Sequence, residues 1–151
     1  MRQRRVAMVA LGMSMIATLI SGCGGANSTS GQKPTFKVVG LVTIDGDVPK
    51  SPLQIVCYPR EANADSSSAV RPSCTTKIDG SFACTTYRDG DGAPAGDYSL
   101  VITWQDVDQV TRKVKTKDKL NGRYSDPKKS EIHFTVTNKT VELGTIELTS
   151  N

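Results

Sequence analysis

The chain has 151 residues, 19 Lys+Arg against 15 Asp+Glu, one His, four Cys and 37% hydrophobic residues, enough for one ordinary domain and too little for two. Only 5% of residues are aromatic and 13 are Gly, with charges of mixed sign, which excludes a membrane bundle and a long disordered tail. The formal charge of +4 points to an anionic partner only if the basic residues belong to the folded part.

Arg2, Arg4 and Arg5 precede an uncharged apolar run over residues 6–22, the basic and apolar regions of an export signal. The run is shorter than the roughly 20 residues a bilayer span needs. It closes on Leu19-Ile20-Ser21-Gly22-Cys23. This order of a branched apolar residue, two small residues and a cysteine resembles the bacterial lipobox. The resemblance implies cleavage after Gly22, a diacylglyceryl group on the Cys23 thiol, and a palmitate-like chain on the new amino group. Two or three acyl chains, at about 0.8 kcal/mol per buried CH₂, hold a protein on a membrane without a spanning helix. Gly24 and Gly25 follow Cys23 where inner-membrane retention would use Asp, so the same resemblance favours a bacterial cell envelope location at the outer membrane. An ordinary secretory signal with an incidental cysteine, or an uncleaved signal anchor, is the competing reading. Without residues 1–22 the balance is 16 Lys+Arg against 15 Asp+Glu, so most of the apparent basicity belongs to the export signal.

Residues 23–35 continue as GGANSTSGQKPT after the cysteine, the composition of a flexible tether. Fully extended, it spans up to about 40 Å. From residue 36 to 150 the apolar residues recur with period two in short runs between turn residues, which predicts an all-β domain. The runs are Phe36–Ile44, Leu53–Tyr58, Cys74–Ile78, Ser81–Thr86, Tyr98–Trp104, Ile132–Thr137 and Thr145–Leu148. One face collects Val38, Val42, Ile44, Ile55, Cys57, Phe82, Cys84, Tyr98, Leu100, Ile102, Trp104, Ile132, Phe134 and Val136 as the predicted core. Lys37, Thr43, Gln54, Thr103 and His133 fall on the wet faces. A seven-stranded Greek-key β-sandwich of Ig-like type is the architecture these runs suggest.

Within that frame stand Val38-Val39-Gly40-Leu41-Val42-Thr43-Ile44-Asp45-Gly46, a strand ending at Tyr58-Pro59, the hairpin Thr76-Lys77-Ile78-Asp79-Gly80-Ser81-Phe82, and Gly92–Ile102 with its Gly-Asp-Tyr-Ser-Leu core. Together they resemble the carboxypeptidase regulatory-like domain of the transthyretin-like (prealbumin-like) group, over about Val38 to Trp104. Leu120, Tyr124, Asp126, Pro127 and Ser130 are similar to a segment that follows this domain in small bacterial lipoproteins. In carboxypeptidases this sandwich lies beside the catalytic domain and carries no zinc ligands, so the resemblance implies a binding or accessory module rather than an enzyme. Cys74 and Cys84 flanking the hairpin and the polar loop Arg60–Arg71 depart from the family pattern.

A Ser–His–Asp hydrolase or a zinc site needs imidazole, and His133 is the one histidine, on a wet face. Neither a P-loop nor a dinucleotide-binding glycine pattern is present, and no cofactor is called for. Asp89-Gly90-Asp91-Gly92 offers two carboxylates, but Leu100 stands where a calcium loop needs its bidentate Glu; the segment reads as a tight turn, as does Asp45-Gly46-Asp47.

Cys57, Cys74 and Cys84 remain after Cys23 is set aside, an odd number for an oxidising compartment. With a two-residue turn at Asp79-Gly80, Thr75 would face Cys84. With a three-residue loop Ile78-Asp79-Gly80 and Gly80 left-handed, Cys74 lies opposite Cys84. The second loop favours Cys74–Cys84 as the candidate disulfide; pairing of Cys57 with either partner, or three unbridged thiols, are the alternatives.

Arg112–Lys129 holds eight Lys/Arg against Asp118 and Asp126. Lys113, Lys115, Lys117 and Lys119 would share one face of an extended strand, a candidate docking strip for an envelope protein or anionic glycan, or equally a charged edge that prevents strand pairing. Nucleic acid is excluded as a partner by the lack of interleaved aromatic residues and by export. The expected function is thus a lipid-anchored, non-catalytic envelope module. The alternative is an envelope enzyme or sugar-processing accessory using loop carboxylates or a bound metal around Asp89–Asp97 and Leu120–Ser130. The two differ in whether Asp89, Asp91, Tyr124 and Asp126 converge on one pocket.

Overall fold

Alternating burial organises the folded part, seen in a computed structural model that describes residues 31–60, 69–108, 110–111 and 113–150. The expected export signal, the anchor at Cys23 and the first part of the tether lie outside the described residues, as does Arg112. The described elements are nine strands: β1 (Thr35–Phe36), β2 (Val38–Ile44), β3 (Gln54–Pro59), β4 (Ser73–Thr75), β5 (Ser81–Ala83), β6 (Ala93–Pro94), β7 (Gly96–Thr103), β8 (His133–Val136) and β9 (Val141–Leu148). The fold is all-β and sandwich-like. A three-stranded sheet in the order β5-β2-β9 and a four-stranded sheet in the order β4-β3-β7-β8 share one apolar core, and β1 pairs with β6 as a short ribbon.

Each of the seven expected runs contains a strand, and the count of seven is corrected to nine. Phe36–Ile44 divides at Lys37, because Phe36 pairs with Ala93 while Val38 pairs with Val141 in a different sheet. Ala93–Pro94 is too short to show a period. Topology adds a second correction: β2 and β9 run parallel, whereas the other strand pairs are antiparallel. A parallel neighbour requires a crossover, and here nearly the whole chain between the two strands supplies it.

Twelve of the fourteen predicted core residues are buried, from Val38, Val42 and Ile44 through Cys57, Cys84 and Leu100 to Phe134 and Val136. Trp104 and Ile132 are only half-buried, packed at the margin of the core. Leu53, Ala93, Leu120, Ile146 and Leu148 complete the interior, and Val101 is buried outside this cluster. Tyr98 and Phe134 stack across β7 and β8 with centroids 5.5 Å apart, and the Tyr98 hydroxyl donates to the Pro94 carbonyl at 2.9 Å. Gly40 faces inward beneath Phe82: a Cβ there would meet Phe82 Cζ at 2.7 Å, so the ring occupies the space the glycine leaves.

The turn at residues 77–81 adopts the three-residue form. Gly80 N–H donates to Lys77 O at 3.0 Å, Lys77 N–H donates to Ser81 O at 2.8 Å, and Gly80 has φ of 80°. Its arms then part into different sheets, β4 with β3 and β5 with β2, yet they stay in register as far as the reciprocal Ser73–Thr85 pair at 2.9 and 3.0 Å. Cys74 therefore lies opposite Cys84, where the three-residue loop puts it.

Candidate functional site

The two ends of the sandwich differ in what they carry. β2 starts beside β1 and runs to Ile44, and β9, parallel to it, finishes beside it at Leu148. At about 3.3 Å per residue, the seven residues of β2 separate these ends by about 20 Å. The chain arrives from the tether at the β1 end, where the Lys33 amide meets the Tyr87 hydroxyl at 3.3 Å. The opposite, distal end gathers the last residues of β2, β7 and β9 and the segment that follows β7.

A cleft of about 690 Å³ opens at the distal end between residues 123–133 and the end of β9. Its walls bring Arg123, Lys129, Glu131, His133 and Glu147 around the half-buried Tyr124 and Ile132. The segment is held there by three buried anchors. Leu120 is 1% exposed within the core, Tyr124 O accepts from Ile102 N at 3.0 Å, and Ser130 Oγ donates to Leu100 O at 2.7 Å. The Thr149 amide donates to the Tyr124 hydroxyl at 3.0 Å, and Arg123 Nη1 donates to Thr149 Oγ1. Burial pushes the Tyr124 phenol up, but the contacts with Thr149 and the adjacent Arg123 guanidinium outweigh it, and its pKa falls below the ordinary phenol value. The result is a rim of both charge signs over an amphipathic floor.

The loop carboxylates do not converge there. Neither Asp89, Asp91 nor Asp126 lines this cleft. Asp91 accepts the Thr86, Tyr87 and Arg88 amides at 2.7, 3.1 and 3.1 Å, a local turn on the side of the incoming chain. Asp126 accepts the Lys128 amide at 2.9 Å. Asp45 and Gly46 form a tight turn with φ of 53° and 85°; hydrogen bonds from the Ser150 hydroxyl and amide hold the Asp45 carboxyl below its usual range. No group of three or more His, Cys, Asp and Glu among the described residues is placed to hold a metal ion.

His133 lies on the exposed face, as expected, but its Nδ1 is 3.2 Å from Ser99 Oγ on the neighbouring strand. Ser99 is 4% exposed, so a substrate carbonyl has no approach to that hydroxyl. Ser99 was not singled out by the sequence; 34 residues separate it from His133, and only the β7–β8 register unites them.

The lysine strip takes a different form from the one expected. Residues 113–119 are not a strand but the return arm of an irregular ribbon joined by the Val107–Val114 bridge, the Asp108 amide to Lys113 O at 2.8 Å and the Lys119 amide to Trp104 O at 2.9 Å. Lys115 Nζ reaches Asp108 at 3.0 Å, and Lys119 Nζ reaches Asp106 at 3.0 Å and stands 5.0 Å over the Trp104 ring. The carboxylates of 106 and 108 thus offset two of the four charges, and the strip does not form one uniform face. Asp106 and Asp108 precede the basic segment in the chain, and the ribbon's return brings them against Lys119 and Lys115. The ribbon leaves β7 at the distal end and exposes Val110 (91%) and Val114 (56%).

Cys57, Cys74 and Cys84 are free thiols in the structure. Cys57 Sγ and Cys84 Sγ are 3.6 Å apart in the core, and Cys74, half-buried on the edge strand β4, stands opposite Cys84 in the register set by the Ser73–Thr85 pair.

No family model matches this chain, and no curated protein matches it. Among solved structures it is similar to a 9R-lipoxygenase from Cyanothece PCC8801, at 12% identity over 76% of this chain with a TM-score of 0.42. The chain spans 16% of that protein's length, and an overlap this loose carries no argument about fold or activity.

Proposed function

We propose that this protein is a lipid-anchored, non-catalytic module of the bacterial cell envelope, tethered through Cys23, which holds its distal end out toward another envelope component. The observation that carries this reading is polarity along the sandwich. The chain from Cys23 enters at β1, while the cleft around Tyr124 and the ribbon tipped by Val110 both belong to the opposite end. A module anchored at the first end turns the second away from the lipid, which makes the ribbon lysines contacts for a partner rather than for headgroups. The finer family assignment, a transthyretin-like sandwich of the carboxypeptidase regulatory-like kind, rests on the motifs at Val38–Gly46, Thr76–Phe82 and Gly92–Ile102. The alternative of an envelope enzyme or sugar-processing accessory loses support, since the loop carboxylates it would use serve separate turns.

The test has two parts. Fractionation of cells carrying Cys23→Ala should move the domain out of the membrane fraction, and continued membrane association without lipid label would refute the anchor. Crosslinking of intact envelopes followed by capture should recover a partner that Arg123→Glu or Glu147→Lys in the cleft releases. Equal capture by wild type and both cleft variants would refute the distal binding surface.

A further inference from the structure

The three thiols are drawn from three separate strands or strand ends, and the fold brings them to one place. Cys57 and Cys84 are 0% exposed with their sulfurs in van der Waals contact at 3.6 Å. Cys74 stands opposite Cys84, next to the reciprocally hydrogen-bonded Ser73–Thr85 pair. That makes Cys74–Cys84 a non-hydrogen-bonded cross-strand position, where Cα atoms lie about 4.5 Å apart, inside the range a disulfide spans. Cys84 thus neighbours both other thiols, and it can bond to one of them at a time.

We propose that Cys57, Cys74 and Cys84 form a thiol–disulfide exchange site with Cys84 as the shared sulfur, able to hold either a Cys74–Cys84 or a Cys57–Cys84 bond. Cys74 is the port of entry, being the half-buried member on an edge strand. Its thiolate attacks a small external disulfide, forming a mixed disulfide and expelling one external thiolate. Cys84 then attacks Cys74 Sγ, closing Cys74–Cys84 and expelling the second. Two electrons pass from the two protein thiols to the external disulfide, and their two protons end on the two released thiols. Cys57 can next attack Cys84 Sγ; the Cys57–Cys84 bond forms, the Cys74–Cys84 bond breaks, and the proton of Cys57 passes to Cys74 with no net oxidation.

The two isomers differ in what the surface offers. With Cys74–Cys84 closed, the remaining thiol is sealed at Cys57. With Cys57–Cys84 closed, a reactive thiol stands at Cys74 on the domain's edge, available for a mixed disulfide with a protein thiol partner. Cys84 is suited to the resolving role: its contacts with Cys57 and Cys74 favour its thiolate against the opposing effect of burial, so it takes up the proton Cys74 gives up on attacking and passes it to the first released external thiolate before attacking in turn. The site rests on the core geometry and stands whether or not Cys23 carries lipid.

The three cysteines fall in separate tryptic peptides, residues 51–60, 61–77 and 78–88, and Cys23 falls in a fourth, so linkage can be read directly. The full chain in detergent is equilibrated with oxidised glutathione, quenched with iodoacetamide, and mapped by mass spectrometry without reduction. The expected map contains only links that include the 78–88 peptide, with one alkylated thiol divided between Cys57 and Cys74. Cys84→Ser should leave glutathione on Cys74, raising that adduct about tenfold because the resolving thiol at high effective concentration is gone. Cys57→Ser should still close Cys74–Cys84 without the adduct, which separates loss of the shared sulfur from loss of folding. A link between the 51–60 and 61–77 peptides, three alkylated thiols after equilibration, or an adduct on Cys74 unchanged by Cys84→Ser would each overturn the proposal.

Discussion

The strand-built sandwich and the segment 104–131 inserted between β7 and β8 hold themselves together by different means. In the sandwich, alternate side chains enter a common interior, as Ile55, Cys57, Leu100 and Ile102 do at 0–1% exposure, and area removed from water at roughly 25 cal/mol per Å² dominates. Among its described residues the insert has one fully buried apolar side chain, Leu120, and is otherwise held by the hydrogen bonds of Tyr124 and Ser130 to β7 and by carboxylates that bond its own backbone. Asp118 accepts the amides of Trp104, Leu120 and Gly122 at 2.8, 3.1 and 3.0 Å, and Asp108 those of Val110 and Thr111 at 2.9 and 2.8 Å. Burial is cooperative and shared by the whole sandwich, whereas a carboxylate-capped turn is secured locally. The insert can therefore vary or open without unfolding the sandwich that carries it.

The contrast can be broken most severely in the sandwich. Leu100→Ala should cost about 3–5 kcal/mol and lower the midpoint of global unfolding, read by chemical denaturation. Leu120→Ala removes a side chain of the same size, and because the insert can relax around it the expected loss is smaller, about 2–3 kcal/mol. Its signature is faster amide exchange over residues 118–131 with β3 and β7 still protected; equal loss of protection in both would show that the two regions unfold as one. Asp118→Ala leaves three amides without their acceptor and should cost about 1–2 kcal/mol, with the indole environment of Trp104 changing in fluorescence while the denaturation slope stays constant.

The smallest effect is acid-dependent. Hydrogen bonds from the Thr111 amide, Lys115 and the Val110 amide hold Asp108 down to about 2. A carboxyl depressed in the folded state favours folding above its unfolded value near 4 and loses that contribution as pH falls through about 2. The ribbon tip should therefore keep its Asp108 and Lys115 chemical shifts at pH 5 and change between about pH 4 and pH 2, ahead of any change in the β7 amides. Exposed pairs such as Lys115–Asp108 contribute little to global stability, so the midpoint should hardly move over the upper part of that range.

The places where the fold was legible, and where it was not, follow the same division. Val38, Val42 and Ile44, or Tyr98, Leu100 and Ile102, stand at even spacings on one face because a strand's side-chain period is a local property, and the inward faces are readable from it. β9 was seen only from Thr145 onward. Its buried or half-buried residues are Val141 and Leu143, then Ile146 and Leu148, and the extra residue in the bulge, Gly144 with φ of 65°, breaks the alternation between them. Leu120 sits in no periodic run, so its burial was invisible. The cleft was half-visible: Tyr124 and Ser130 were singled out, but Arg123, Glu131, Glu147 and Thr149 carry no pattern of their own, and Thr149 meets Tyr124 from 25 residues away.

By itself the sequence determined what is local: the all-β character, the inward faces of most strands, and a tight turn at Asp79-Gly80 with two possible lengths, of which the structure takes the three-residue form that sets Cys74 against Cys84. Only the tertiary structure decided that β9 returns parallel to β2, that Cys57 reaches Cys84 from another sheet, and that the cleft lies at the opposite end from the incoming tether. The reason is range. Period and turn chemistry act over a few residues, whereas the choice of strand neighbours is a contest among all apolar faces of the chain at once, settled by how they pack into one core.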